Sequence, residues 1–283
     1  MSTRPTVLVG AGGMLGSAFR RNMLPDPVCL GRDQLDVSQP GVLVDRIASL
    51  GPSLVINCAA DTDVERAESD PGPAYAANAL LPELLAQACR KAGSRLVHFS
   101  STGCYGDWKR TPYSDWDPLR PTTAHHASKA AGEAAVREAW PDSLILRLGW
   151  LYGGDPGHRK NFVWARMNEA RSAPEMFSDP HQTGTPTWVG DIVAQTLRIL
   201  DAGLSGTYNC VAGGAVTRFD YVQRILELAG HDTRLRPRRF ERKAPVSPNE
   251  AAVNTKLGLL HLDIMPRWDE ALARYVASLA AAA

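Results

Sequence analysis

One short stretch constrains this chain more than any other. Gly10-Ala11-Gly12-Gly13-Met14-Leu15-Gly16 follows directly on the β-branched run Thr6–Val9 and opens an apolar, helix-like segment. A strand that turns at once into a helix leaves the first N–H groups of that helix without partners, at the positive end of its dipole. Gly10, Gly13 and Gly16 recur at a spacing of three. The first permits the tight turn, the second lets a phosphate approach bare backbone, and the third lets the helix pack on the strand. Read this way, the segment is a dinucleotide site, with Met14 and Leu15 opening the helix over the pyrophosphate. The next strand ends at Arg32-Asp33. An acid there would bond a ribose 2′-hydroxyl, whereas an arginine would pair with a 2′-phosphate. Arg32 comes first, so NADPH is the expected cofactor and NADH the alternative; the plainer reading of Arg32 is a solvated turn residue.

The rhythm that follows is strand, helix, strand. Strands are expected at 27–30, Leu54–Asn57, 95–100 and Leu144–Leu148, and helices at 14–23, 41–50, 75–91 and 127–139. Such alternation predicts an α/β fold with a Rossmann-like, doubly wound parallel sheet. After Trp150 the rhythm breaks. A Gly- and charge-rich loop is expected at 153–160, helices at 162–173, 189–200, 219–229 and 268–281, and a strand at 207–210. Residues 234–246 hold six Arg or Lys and two Pro and read as an extended lobe segment or a loop, with a solvated face or an approach to phosphates as its two roles. The expected division is a dinucleotide-binding domain over 1–150, with contributions from about 185–212, and a smaller C-terminal substrate-binding lobe over 151–283.

Charge narrows the partners. With 31 basic and 30 acidic residues the net charge is +1, which argues against non-specific nucleic-acid binding. The five cysteines form no CxxC pair and suggest neither a disulfide framework nor a zinc site. No run of about 18 apolar residues exists, and the start of the chain is polar, so a soluble, cytoplasmic protein without a membrane partner is expected. Asp61, Asp63, Glu65 and Glu68 cluster after the third strand. They read as the acidic start of a helix rather than as metal ligands, and no metal is expected.

Further segments align in order: Leu35-Asp36-Val37, then 54–68 with Cys58-Ala59-Ala60, then Ala77-Asn78, His98-Phe99-Ser100-Ser101-Thr102, Ser128-Lys129-Ala-Ala-Gly-Glu133, Leu146-Arg147-Leu-Gly-Trp150, Asn161-Phe162 and Gln182-Thr-Gly-Thr-Pro-Thr187. Along nearly its whole length the chain resembles the dTDP-4-dehydrorhamnose reductase family of extended short-chain dehydrogenases. That resemblance implies an NAD(P)H-dependent reductase of a nucleotide-activated 4-keto-6-deoxysugar, frequently a homodimer. It also implies roles. Asp36 and Val37 would border the adenine, and Cys58, Ala59 and Ala60 the pyrophosphate and ribose. Thr102 would bond the substrate carbonyl and Lys129 the nicotinamide ribose. Tyr105, Trp150, Asn161, Thr185 and Thr187 would face the sugar nucleotide, with a core aromatic as the other reading of Trp150.

One departure stands out. Short-chain reductases carry Tyr-x-x-x-Lys on one helix face, and the tyrosine supplies the proton. Here the residue four before Lys129 is His125. The segments Thr102-Gly103-Cys104-Tyr105 and Ala59-Ala60-Asp61-Thr62 also differ from the family pattern. Four readings of His125 are open: the proton donor; a spectator while His126, Tyr105 or Tyr113 donates; a substitution introduced by engineering; or the mark of a silent site in a cofactor- or nucleotide-binding regulator. A reductase of a different small ketone or imine is a further alternative.

Overall fold

The computed structural model describes residues 4–22 and 26–282. Part of the polar start of the chain (1–3) and Met23 lie outside the described residues. β1 (Thr6–Val9) passes through the glycine turn into α1 (Met14–Asn22), followed by β2 (Val28–Leu30), α2 (Pro40–Ser49) and β3 (Leu54–Asn57). Next come α3 (Val64–Ser69), α4 (Gly72–Tyr75), a π-helical turn at Ala76–Leu80, α5 (Leu81–Ala92), β4 (Arg95–Ser101), α6 (Ala124–Ala139) and β5 (Leu144–Leu148). The second half holds β6 (Trp150–Tyr152), α7 (Phe162–Ser172), β7 (Glu175–Ser178), β8 (Thr183–Gly184), β9 (Pro186–Trp188), α8 (Val189–Asp201) and β10 (Gly206–Cys210). It closes with β11 (Val216–Thr217), α9 (Arg218–Leu228), β12 (Arg234–Pro237), α10 (Thr255–Leu259) and α11 (Trp268–Ala282).

Six strands form one parallel sheet in the order β2-β1-β3-β4-β5-β10. Successive strand residues point to opposite faces, and both faces are covered. Val7, Val9, Val55, Leu96 and Ile145 pack under α2, α5 and α6. Leu8, Ile56, Val97, Leu144 and Leu146 pack under α1 and α8. The strand order reverses between β1 and β3, so a crevice opens at the carboxyl ends of these strands, where the glycine turn leaves β1. A second core joins β6, α7, α9 and α11 through Tyr152, Met167, Tyr221, Ile225 and Leu272. No helix of the described residues is long and apolar enough to cross a membrane.

Two of the expected helices differ in extent, and short strands appear that were not expected. The single helix expected at 75–91 is interrupted by the π-helical turn, because Pro82 brings no N–H to the first turn of α5. The displaced Asn78 carbonyl then abuts α6: a Cβ on Gly132 would stand 1.9 Å from it. Of the two forms expected for 234–246, an extended lobe segment or a loop, Arg234–Pro237 takes the first as β12, paired in parallel with β7. Helix α6 starts earlier than expected, at Ala124, because the Thr123 side chain caps it by accepting from the His126 N–H at 3.1 Å.

Candidate active site

The glycine turn is built by contact. Gly10 has φ +79, and a Cβ on it would meet the Ala59 nitrogen at 2.7 Å; a Cβ on Gly16 would stand 2.2 Å from the Gly10 carbonyl. Gly12 faces open space, with nothing within 4 Å of a Cβ. β1, α1 and Cys58-Ala59 at the end of β3 therefore form a bare backbone cradle, and the N–H groups opening α1 at Met14 and Leu15 suit a pyrophosphate. A cleft of about 930 Å³ continues from it along Arg32, Val37, Ala60 and Asp61 to Lys160 and Arg242. Arg32 is exposed on this wall and makes no ion pair among the described residues, which fits a 2′-phosphate. Asp36 is occupied otherwise: it accepts from the Ser38 N–H and hydroxyl at 3.0 and 2.7 Å and from Gln39 at 3.2 Å, closing the turn before α2. These residues fit a dinucleotide.

Helix α6 carries the reactive end. His125, Lys129 and Glu133 repeat at four-residue spacing and form one buried stripe. The Lys129 ammonium donates to the Phe99 carbonyl at 2.9 Å, at the end of β4. Burial lowers its pKa to about 8, against the pull of the nearby Cys104, Glu133 and Cys58 groups. Glu133 anchors the helix. It accepts from Arg147 Nε at 3.0 Å and Nη2 at 2.8 Å, and Arg147 Nη1 donates to the Tyr105 hydroxyl at 2.8 Å. Ser128 accepts from Asn78 at 3.0 Å and donates to the His125 carbonyl at 2.7 Å. Thr102, also buried, begins the turn after β4.

His125 is uncharged. Burial, reinforced by His126 and Lys129, takes its pKa down to about 3 against the opposing pull of Asp61 and Glu250. Its Nδ1 is buried without a partner. His126 is likewise lowered to about 4, mainly by burial, and its Nδ1 lies 3.0 Å from the Thr123 hydroxyl. The His126 ring occupies the space over Gly103, where a Cβ would come within 2.2 Å of it.

Several of the residues expected to face the substrate are buried, and most of them also hold the frame. Tyr105 is fully buried, and its hydroxyl donates to Asn209 at 2.8 Å while receiving Arg147. Asn161 caps α7 by accepting from the Trp164 N–H at 3.0 Å, and its amide donates to the Tyr275 hydroxyl at 2.7 Å. Thr187 is sealed, donating to the Thr185 carbonyl at 3.0 Å and accepting from the Ala212 N–H at 3.2 Å. Thr185 is sealed too, its hydroxyl buried without a partner and its carbonyl receiving the Trp150 N–H at 2.9 Å. Asn161 and Thr187 lie where a helix end or a strand end must satisfy backbone groups, and their side chains do so; Tyr105 joins two buried side chains instead.

Trp150 is half-buried, and its indole N–H donates to Glu250 at 2.6 Å while Arg218 stacks on its face at 3.5 Å. Neither Glu250 nor Arg218 belongs to a motif, so nothing in the sequence pointed to them. Arg242, in the basic 234–246 run, reaches Glu65 at 2.7 Å across the cleft mouth, and Lys160 meets Thr62 there. The acidic cluster disperses into separate tasks. Asp61 pairs with Arg66, Asp63 caps α3, Glu65 holds Arg242, and Glu68 accepts from the Ala124 N–H at 2.7 Å. Among the described residues no group of His, Cys, Asp or Glu is placed to hold a metal ion.

The fold and site have known counterparts. The family model described as the RmlD substrate binding domain matches residues 4–281. A dTDP-4-dehydrorhamnose reductase of Mycobacterium tuberculosis is 36% identical over 284 residues, covering 96% of this chain and 92% of that protein. Among solved structures, a dTDP-4-dehydrorhamnose reductase of Clostridium acetobutylicum superposes with a TM-score of 0.92 at 28% identity, covering 97% of this chain and 99% of that one. One from Bacillus anthracis in complex with NADP gives 0.91 at 26% identity, covering 98% and 100%.

Proposed function

The chain belongs to the dTDP-4-dehydrorhamnose reductase family of NAD(P)H-dependent oxidoreductases, and from that membership we propose that it reduces the keto group of a nucleotide-activated 4-keto-6-deoxysugar with NADPH. The observation that carries this reading is the pairing of Lys129 and Thr102 at the carboxyl end of β4, two strands from the glycine turn, with Lys129 near Cys58 of the cradle. When bound, the reduced nicotinamide supplies the hydride. The chain does the rest. The opening of α1 would hold the pyrophosphate and Arg32 the 2′-phosphate. Lys129, a cation below about pH 8, would hold the nicotinamide ribose. The Thr102 hydroxyl would orient the carbonyl oxygen, and uncharged His125 would offer it an N–H hydrogen bond. Arg159, Lys160 and Arg242 give the cleft mouth a positive rim that suits a sugar diphosphate. In this reading residues 151–283 bind the sugar nucleotide, apart from the 185–212 stretch that serves the sheet, and the enzyme is a cytoplasmic homodimer.

The test is NADPH oxidation with dTDP-4-keto-6-deoxyglucose and with its 3,5-epimerised form. Turnover of either supports the reading; NADPH binding without turnover of either overturns it. His125 favours a second reading, a nucleotide-binding protein without turnover, because a neutral imidazole stands where the family helix carries its acid. Activity absent from the parent and gained in His125→Tyr would establish that reading instead.

A further inference from the structure

The reductase reading leaves the proton without a source, and the groups around His125 can be taken in turn. Tyr105 spends its hydroxyl proton on Asn209, and Tyr113 donates to the Gly106 carbonyl at 3.0 Å. His126 and His125 are both uncharged at neutral pH, and the Lys129 ammonium, though charged, is turned to the Phe99 carbonyl at 2.9 Å. Asp61 is paired with Arg66 and held below the usual carboxylate range, burial notwithstanding.

Glu250 differs from all of these. It is only 7% exposed, and its N–H is fixed to the Thr183 carbonyl at 2.8 Å. One carboxyl oxygen, Oε2, accepts from the Trp150 indole at 2.6 Å; the other takes no hydrogen bond among the described residues. No Arg, Lys or His nitrogen of the described residues lies within the 4.0 Å of an ion pair. The indole that holds the carboxyl is itself fixed, with Gly184 so close beneath it that a Cβ there would stand 2.2 Å from the ring, and with Arg218 stacked on its face at 3.5 Å. The charged and titratable groups facing Glu250 are Arg218 from α9, Arg242 from the 234–246 segment and His125 from α6. Burial outweighs their pull, so the carboxyl keeps its proton to higher pH than an ordinary glutamate.

We propose that Glu250 is the acid that protonates the substrate oxygen, taking the part left open by the absence of a tyrosine four residues before Lys129. The inference rests on the reductase reading. Hydride from a reduced nicotinamide brings two electrons to the carbonyl carbon, and the π pair of the C=O bond moves to oxygen. That oxygen takes the Glu250 proton as the carboxyl O–H bond breaks. Water reprotonates the carboxylate after the alcohol leaves.

Glu250→Gln tests this, since it keeps an acceptor for the Trp150 indole and removes the proton. Two measurements are made, infrared spectroscopy of the substrate-free protein as pH is raised and steady-state kinetics with the sugar nucleotides. The expected result is a protonated-carboxyl stretching band in the parent that persists to higher pH than an ordinary glutamate's and that Glu250→Gln lacks. In the variant kcat should fall by about a hundredfold or more, with NADPH affinity and KM nearly unchanged. The decline of the parent's kcat at high pH should also vanish. No such band in the parent, or a variant kcat within about threefold of it, would overturn the proposal. A band present in the parent and lost in the variant, with no sugar nucleotide turned over by either, would remove the deoxysugar reading and leave Glu250 supported as the acid for another carbonyl substrate.

Discussion

Gly103 and His126 occupy one space. A Cβ at position 103 would stand 2.2 Å from the imidazole, which Thr123 holds in place, so a side chain at 103 and this imidazole exclude one another. Gly103→Ala is expected to lose about 1–3 kcal/mol through overpacking, and Gly103→Ala with His126→Ala to recover most of it; a double-mutant cycle in denaturant checks the coupling. Arg32 gives a second test. Loss of a charge-assisted hydrogen bond to a 2′-phosphate is worth about 1.5–3 kcal/mol. Arg32→Ala should therefore weaken NADPH binding by about tenfold to a hundredfold while leaving NADH binding nearly unchanged, as read by nucleotide fluorescence titration. At this scale the sequence was legible where backbone demanded a residue type: Gly10 and Gly16 must be glycine because neighbouring backbone fills their Cβ positions. It was less informative where a motif residue could touch a ligand, brace the frame or do both. Tyr105, Asn161 and Thr187 carry bracing bonds, because only the fold decides which polar groups beside them lack partners. Glu250 was invisible, since a lone glutamate acquires its character from the burial and the indole that tertiary structure brings to it.

Helix α6 gathers most of what the site needs, and four of the six residues of Ser128-Lys-Ala-Ala-Gly-Glu133 have a contact to account for them. Ser128 ties to Asn78, Lys129 to Phe99, Gly132 admits the Asn78 carbonyl, and Glu133 takes the Arg147 fork. The helix was therefore expected from its pattern, whereas its start at Ala124 depended on a cap that precedes the apolar periodicity. The Glu133–Arg147 pair is sealed on both sides. Removing one partner leaves a buried charge, so Glu133→Ala should cost about 3–5 kcal/mol in denaturant unfolding. Burial disfavours the Glu133 carboxylate, but the hydrogen bonds and charge of Arg147 outweigh it, and the folded pKa lies below the ordinary value. A carboxyl lowered in this way adds stability that is fully present above its unfolded pKa, about 4.3. That stability is lost as pH falls toward the folded value. The parent should thus lose stability steeply below about pH 4.3, and a Glu133→Gln/Arg147→Met variant should show a flatter acid limb by circular dichroism.

Across the whole molecule, the two halves meet at the cleft mouth through Glu65, which binds Arg242 and the N–H groups of Lys243 and Ala244 at 3.0 and 3.1 Å. The side-chain pair is largely exposed, so Glu65→Ala should change unfolding stability by less than about 1 kcal/mol. It should nevertheless speed NADPH release, measured by stopped-flow displacement, because the segment it holds lines the cleft. The strand–helix alternation was enough to foresee the parallel sheet. The small strands β6 to β9 and β11 escaped notice because two to four residues carry no periodicity. β10 has a consequence for how the chain is made. It lies beside β5, whose five residues are all buried, yet it is separated from β5 by the whole of α7 and α8. On a ribosome adding about 5–20 residues per second, β5 emerges several seconds before the strand that covers it. Throughout that interval the nascent nucleotide-binding half presents a bare, apolar sheet edge, a template for pairing with any other extended chain. Production of this protein should accordingly depend on chaperone capacity during synthesis far more than its finished stability would suggest.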